Sequence, residues 1–235
     1  MNQQIIQDNL LRIRERVAHA ADKSGRTPEE ITIVAVTKAV HESVIRQAYQ
    51  IGHRVFGENR IQEAIPKIEA LDACFGINWH MIGHLQSNKV RKAVEKFAII
   101  QSVDSLDLAR KIARFCRESD RQIEILLEIN VSGEASKSGL SPVNLMATSA
   151  EIENLSEIVP RGLMTVGPLT TDRRIIRKAF ETLRECLEKV AASGIFGINF
   201  NILSMGMTDD YEIAVEEGSN MVRIGRGIFG ERVIV

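Results

Sequence analysis

Short runs of β-branched and other apolar residues alternate with amphipathic stretches along the chain. The apolar runs are ITIVAVT, RVFG, NWHMIG, FAIIQSV, IEILLEINV, RGLMTVG, FNILSMG and MVRIG, and they give eight candidate strands. Strict alternation of strand and helix predicts a parallel sheet. Eight such units within 235 residues favour a single closed (β/α)8 TIM barrel over an open, doubly wound sheet.

Two of the amphipathic stretches also predict where helices begin or end. The first has apolar residues at helical spacing, namely Ile6, Leu10, Ile13 and Val17. We therefore expect an extra N-terminal helix within residues 1–24, before Gly25, that packs on the barrel. Another helix follows the capping candidates Thr171 and Asp172. Since no repeat or long linker divides the chain, residues 1–235 are expected to form one domain.

Composition and charge exclude several classes of partner. The 30 basic and 31 acidic side chains leave a net charge of -1, without the broad positive field that nucleic acid or an anionic membrane selects. No run is long enough to span a bilayer, and the N-terminus lacks an export signal. Three cysteines without CxxC spacing argue against a disulfide framework and a zinc site. We expect a cytoplasmic protein with no nucleic-acid or membrane partner.

Polar residues follow the predicted strands at the end where barrel active sites collect, which is the C-terminal end. These residues are Lys38, Glu58, Asn59, His84, Ser102, Asp104, Asn130, Met164, Thr165, Ser204 and Arg223 to Arg226. The pattern therefore predicts a functional site at this end of the barrel.

Lys38 is the most informative of these residues because it directly follows a strand that should be packed on both faces. An ordinary lysine amine is almost entirely protonated at pH 7, whereas imine chemistry needs the neutral form. Apolar walls or a nearby cation, such as Arg223 or Arg226, favour the neutral form. Position alone leaves two roles open, imine formation and a solvated charge on the rim.

The segments LSMGMTDDYE and MVRIGRGIFG form the loops after predicted strands 7 and 8, which commonly bind phosphate in barrels. Gly206 and Gly225 let backbone N–H groups approach an anion, and Ser204 offers a hydroxyl. The alternative is that these glycines only turn the chain. Arg223 has apolar neighbours, so its side chain is expected inside the barrel, against a ligand ring nitrogen, a carboxylate such as Glu58, or a structural ion-pair partner.

The remaining motifs argue against other chemistries. His80 and His84 are four residues apart, but in a segment typical of a strand leaving into a loop, so we expect no metal site. His80 is interpreted as a core residue and His84 as a neighbour of a flat aromatic ligand. The sequence has no GxSxG, HExxH or GxxxxGK[ST] motif, so it gives no support to an α/β-hydrolase, a zinc metalloprotease or a P-loop mechanism.

Taken together, these motifs resemble the pyridoxal phosphate homeostasis proteins, whose fold is like the N-terminal barrel of alanine racemase. The matching segments are VAVTKAV, FGENRIQE, WHMIGHLQSNK, SVDS, EINVSGEASKSG, GLMTVGP, LSMGMTDDYEIAVEEGSNMVRIG and IFG. They follow one another in order over almost the whole chain, and the combination is highly specific.

The resemblance implies a site for pyridoxal 5'-phosphate (PLP). Lys38 is expected to form a Schiff base with the cofactor, Asn59 and His84 to line its ring, and Arg223 to face its pyridine nitrogen. A cation there disfavours protonation of that nitrogen and weakens the electron sink that carbanion chemistry needs. The resemblance places the phosphate on Ser204, the backbone of Met205 and Gly206, and the Gly225 loop.

Arg226 departs from the family pattern, because relatives usually have a small hydroxyl residue directly after the glycine at position 225. The substitution removes a hydroxyl donor and adds a guanidinium that can make a charge-assisted hydrogen bond. We predict that phosphate binding is retained.

The resemblance implies a PLP-binding protein of intracellular PLP homeostasis, and through it of amino-acid and keto-acid balance, with no catalytic residues and no conventional turnover. Apo PLP-dependent enzymes are its expected transient partners, and the chain is expected to be a monomer. The alternative, a PLP-dependent amino-acid racemase, needs a second acid or base across the substrate. Racemases take a tyrosine from an additional domain, whereas Tyr49 and Tyr211 lie here in predicted helices. A barrel enzyme that binds a phosphorylated metabolite through Lys38 is the third hypothesis.

Overall fold

Eight parallel strands close into a barrel, each paired with the next along the chain and the last paired with the first. This arrangement comes from a computed structural model that describes residues 2–134 and 137–230. The strands are β1 (Thr32–Val36), β2 (Val55–Glu58), β3 (Asn78–Met81), β4 (Ile99–Val103), β5 (Ile123–Glu128), β6 (Ile158–Met164), β7 (Ile202–Ser204) and β8 (Met221–Ile224). The predicted (β/α)8 barrel is confirmed.

Helices surround the strands. They are α1 (Gln3–Lys23), α2 (Glu42–Gln50), α3 (Ile61–Ala70), α4 (Val90–Lys96), α5 (Leu106–Glu118), α6 (Leu145–Ile152), α7 (Arg173–Ser193), α8 (Tyr211–Glu216) and α9 (Arg226–Phe229). Within the described ranges, no helix is both long and apolar enough to cross a membrane. The predicted domain limits, 1–235, include residues 1, 135, 136 and 231–235, which lie outside the described residues.

Alternate side chains of the strands point into the barrel or outward to the helices. One buried cluster, made of residues from five strands, fills the barrel interior: Val34, Ile99, Leu126, Met164 and Met221. Their strand neighbours Ala35, Ile100 and Val222 belong to the larger core that the strands share with the helices. Arg223 is two residues after Met221, so it faces inward as the sequence predicted.

Several strand boundaries differ from the predicted runs, and two of the differences have a clear cause. Strand β6 begins at Ile158 rather than Arg161, because the sheet tolerates Pro160 at a shift of register against β5, between Ile125 and Leu126. Strand β5 ends at Glu128 rather than Val131, since the residues described after Glu128 form an isolated bridge, Ile129 to Leu140, in place of a continued strand. Both differences depend on how a strand pairs with its neighbour, and the apolar pattern of a single strand does not contain that information.

The N-terminal helix packs across the last elements of the chain. The apolar stripe of α1 is buried, and the helix ends at Lys23, before Gly25 as predicted. Asn9 Nδ2 donates to the Ile228 carbonyl (3.0 Å), and Lys23 pairs with Glu216 (3.2 Å). At α7, the predicted cap is Asp172, whose side chain accepts from the Arg174 N–H (2.9 Å).

Candidate functional site

A cavity of about 310 Å³ opens at the C-terminal ends of the strands. It brings together several of the predicted residues, which are Lys38, Asn59, Arg223, Gly225 and Arg226. A larger groove of about 750 Å³ lies beside α7, but its walls contain none of these residues. The chemistry of the side chains, rather than the size of the hollow, therefore identifies the candidate site.

Lys38 lies in a tight turn that leaves β1. The Thr37 N–H donates to the Gly57 carbonyl (2.9 Å) and so continues the pairing with β2, while the Val40 N–H donates to the Thr37 carbonyl (2.9 Å). Ala39 has a φ of 59°, in the left-handed region that non-glycine residues rarely adopt. The turn leaves Lys38 exposed on the cavity rim. Arg223 and Arg226, the two cations that the sequence suggested, line the same cavity as Lys38.

Arg223 lies beneath that rim and is almost fully buried, with 4% exposure. Its Nη1 donates to the Ser204 carbonyl (2.7 Å) and hydroxyl (2.6 Å), and its Nη2 donates to the Thr165 carbonyl (2.7 Å). Burial lowers the pKa of Arg223 to about 10, so the group stays charged at neutral pH. Glu58, one of the partners that the sequence left open, is not bonded to Arg223 and faces α3 instead.

Ser204 connects Arg223 to a buried chain of hydrogen bonds through the barrel. The Ser204 hydroxyl donates to Gln101 Oε1 (2.6 Å), and Gln101 Nε2 donates to His80 Nδ1 (2.7 Å). Burial lowers the pKa of His80 to about 3, which fits a neutral core histidine that accepts this bond and matches its expected place in the core. The Ser204 hydroxyl thus lies inside the barrel, not on the cavity wall, and its contact with phosphate stays a prediction.

The loop after β7 is built around Gly206. Its φ is +93°, and a Cβ there would lie 2.5 Å from Ala214 Cβ and 2.8 Å from Tyr211 Cα, so glycine lets α8 pack against this loop. The Arg223 N–H donates to the Gly206 carbonyl (2.9 Å), and the Met205 N–H donates to the Met221 carbonyl (3.1 Å). The Met205 N–H is therefore used by the sheet, and neither Met205 nor Gly206 lines the cavity.

The loop after β8 does reach the cavity, through Gly225 and Arg226. A Cβ on Gly225 would make only ordinary contacts with Val36, at 3.5 Å, so nothing in the surrounding protein demands a glycine there. Arg226 Nη2 pairs with Asp209 Oδ2 (2.6 Å) and so joins the two glycine loops. The unusual arginine thus places a half-exposed guanidinium at the predicted phosphate site.

Asn59 and His84 occupy different positions relative to the cavity. Asn59 lines it, and its Oδ1 is buried without a hydrogen-bond partner among the described residues. His84 is exposed, pairs with Asp104 (3.2 Å), and borders an adjoining hollow that shares Asn59. The structure therefore brings Asn59, but not His84, to the same cavity as Lys38.

Sequence reasoning missed Gln101 and, for Glu58, the actual bonding partners. Gln101 has no exposed surface, and its position two residues after inward-facing Ile99 was the available signal. The partners of Glu58 are Lys67 and Thr37, behind the turn. Burial raises the pKa of Glu58, although hydrogen bonds from its two partners oppose the rise. No cluster of three or more potential metal ligands occurs in the described ranges.

Comparisons with known proteins give one consistent result. The family described as alanine racemase, N-terminal domain, matches residues 5–233. The pyridoxal phosphate homeostasis protein of Pseudomonas aeruginosa is 38% identical over 227 residues, which cover 97% of this chain and 96% of that protein. PipY of Synechococcus elongatus, solved with PLP bound, is 35% identical, with a TM-score of 0.82 and coverage of 91% of this chain and 100% of PipY.

Alanine racemase from Clostridium difficile 630 shares the fold at only 17% identity, with a TM-score of 0.74. The match covers 98% of this chain but 56% of the racemase. The racemase thus has a large part to which the barrel described here has no counterpart.

Proposed function

The chain belongs to the family of pyridoxal phosphate homeostasis proteins, and from this premise we propose that it binds PLP through a Schiff base on Lys38 and serves intracellular PLP homeostasis. The observation that carries the proposal is one cavity that holds an amine on its rim, a buried guanidinium at its base and the loop of Gly225 on its wall. The proposal includes a cytoplasmic monomer that transfers PLP transiently to apo enzymes and so influences amino-acid and keto-acid pools.

The residues present fit this cofactor. The buried Asn59 Oδ1, which has no protein partner among the described residues, can accept a hydrogen bond from a ligand hydroxyl. Arg226 can make a charge-assisted hydrogen bond to a phosphate oxygen. Gly225 leaves room for an anion against the backbone. Donors, an acceptor and an amine therefore match the groups of PLP without any metal.

The residues of the cavity are better suited to binding PLP than to catalysis with it. When bound, PLP supplies an electron-withdrawing ring for amino-acid chemistry. Lys38 would hold the cofactor covalently, since its amine can condense with the aldehyde with loss of one water. Arg223, which is charged at neutral pH, disfavours protonation of a nearby ring nitrogen and so weakens that electron withdrawal. This electrostatic setting supports a binding role without conventional turnover.

The tyrosines give no support to the racemase alternative. Both lie in helices, as predicted. Tyr211 is 3% exposed and packs in the core beneath Gly206. Tyr49 donates its hydroxyl to the Phe75 carbonyl (3.1 Å), away from the cavity. Neither residue lines the cavity with Lys38, so neither provides the second acid or base that racemisation needs.

The test is the visible spectrum of protein purified with PLP. We expect a yellow protein that borohydride bleaches, with the cofactor then trapped on the peptide that contains Lys38. Lys38→Ala should be colourless, whereas Lys89→Ala, which changes a lysine of the adjoining hollow, should stay yellow. Trapping on another lysine would contradict the proposed linkage, and sustained inversion of an amino acid by the wild type would contradict the non-catalytic role.

A further inference from the structure

A buried ion pair lies directly behind the turn that carries Lys38. Lys67 Nζ, on α3, is 2.7 Å from Glu58 Oε1, and the side chains are 12% and 0% exposed. Glu58 also accepts a hydrogen bond from the Thr37 hydroxyl (2.6 Å). A fully buried carboxylate is costly unless it is paired, so this pair is a specified feature of the fold.

Strand alternation explains why the pair lies on the helix side of β2. A Cβ on Gly57 would meet Val34 and Ile82, at 2.8 and 3.0 Å, so position 57 faces the barrel interior. Glu58, the next residue, therefore faces outward to α3. Lys67 pairs with Oε1 of this carboxylate, and the other oxygen, Oε2, has no partner among the described residues.

Lys67 also bonds the backbone that leads to Lys38. Its Nζ donates to the Thr37 carbonyl (2.8 Å), and the Val40 N–H donates to the same oxygen (2.9 Å). That carbonyl belongs to the peptide bond between Thr37 and Lys38. The two donors therefore fix the orientation of this peptide, next to the unfavourable left-handed conformation of Ala39.

We propose that Lys67 and Glu58 are positioning residues for Lys38: they hold the turn in the one orientation that presents its amine to the cavity. This inference rests on the proposed function. Neither member of the pair lines the cavity, and the pair reaches the turn through the carbonyl and hydroxyl of Thr37. Because imine formation depends on accurate placement of the amine, a loosened turn slows the reaction of Lys38 with an aldehyde.

The test removes both charges together, since removal of one would leave the other buried and unpaired. In the double variant Lys67→Met with Glu58→Gln, the glutamine can still accept from the Thr37 hydroxyl, but the Thr37 carbonyl loses its ammonium donor. The matched control carries the same two substitutions at the exposed pair of α7, Lys178→Met with Glu181→Gln.

Two quantities are measured. The first is hydrogen exchange of the Val40 amide in protein without added cofactor, and the second is the rate at which borohydride traps PLP on Lys38. The double variant should exchange Val40 about tenfold faster and trap PLP about tenfold more slowly, as expected for loss of a charge-assisted hydrogen bond and of accurate placement. The control should change neither quantity.

The outcomes separate this inference from the proposed function. If the wild type forms no adduct on Lys38, the proposed function fails. If the wild type forms it and the double variant reacts at the same rate, the positioning role is refuted, whatever happens to Val40. Should the double variant not fold, Lys67→Arg and Glu58→Gln are measured singly. Lys67→Arg keeps the charge and should retain most of the wild-type rate, whereas a wild-type rate in folded Glu58→Gln would refute the inference.

Discussion

Replacement of Gly206 by alanine tests whether the loop after β7 needs close approach of α8. The glycine has a φ of +93°, and the new Cβ would lie 2.5 Å from Ala214 Cβ and 2.8 Å from Tyr211 Cα. Neither contact can be relieved by rotating a flexible side chain, because one atom is backbone and the other is a methyl on the helix. The helix must therefore move, or the loop must change conformation.

The magnitude follows from two costs. A left-handed backbone conformation costs an alanine about 1–2 kcal/mol relative to glycine. Overpacking against a rigid neighbour adds about 1–3 kcal/mol. We therefore expect Gly206→Ala to lower the free energy of unfolding by about 2–5 kcal/mol. Gly25→Ala provides the matched control, since Gly25 has a φ of +68° but nothing within 4 Å of a Cβ, so it should show only the first cost.

The assay is equilibrium unfolding in urea of protein without cofactor, followed by two probes whose transitions must coincide. The informative quantity is the difference between the two alanine variants, which isolates the collision with α8. If Gly206→Ala is no less stable than Gly25→Ala, the close approach does not constrain the loop. A loss in Gly206→Ala with an unchanged slope would locate the effect in the folded state.

Two further predictions concern charged groups at the barrel mouth. Burial and the neighbouring Asp104 raise the pKa of Glu128 from 4.5 to about 7, so its contribution to the free energy of unfolding is fully present below pH 4.5 and is lost as the pH rises through about 7. Glu128→Gln should remove this pH dependence from urea unfolding, and an unchanged dependence would contradict the assignment. Arg226→Ala should weaken PLP binding about 2–5-fold and reduce its salt dependence, as expected for a half-exposed charge. Arg174→Ala, at an exposed ion pair of α7, should leave the affinity for PLP and its salt dependence unchanged. If Arg226→Ala binds PLP as tightly as the wild type, Arg226 is only a solvated charge on the rim.

The fold was accessible from sequence because its signal is local and repeated. Each strand shows a short apolar run, and each parallel crossover needs a helix, so the order of elements predicts the barrel. The exceptions are instructive. Pro160 lies inside β6, where the sheet absorbs it by a shift of register. Only the partner strand determines whether such a proline is tolerated, and the sequence of β6 alone does not contain that information.

The candidate site was predicted in part for the same reason. Lys38 and Arg223 follow from strand ends and alternation, and both line the cavity. Which inward residues meet across the barrel depends on strand tilt and stagger, which sequence patterns do not specify. The contact between Ser204 and Gln101 is of this kind, since 103 residues separate the two partners.

The packing of helix α1 affects the order in which the chain can fold during synthesis. Its partners, α8 and α9, are encoded near the other end of the chain, and the bond from Arg16 to Glu212 spans 196 residues. During synthesis, the apolar stripe of this helix emerges long before the surface that covers it. Contacts so distant in sequence form late and slowly. A newly made chain therefore covers this stripe only after α8 and α9 have been synthesised, and until then the stripe is a surface on which chaperones can act.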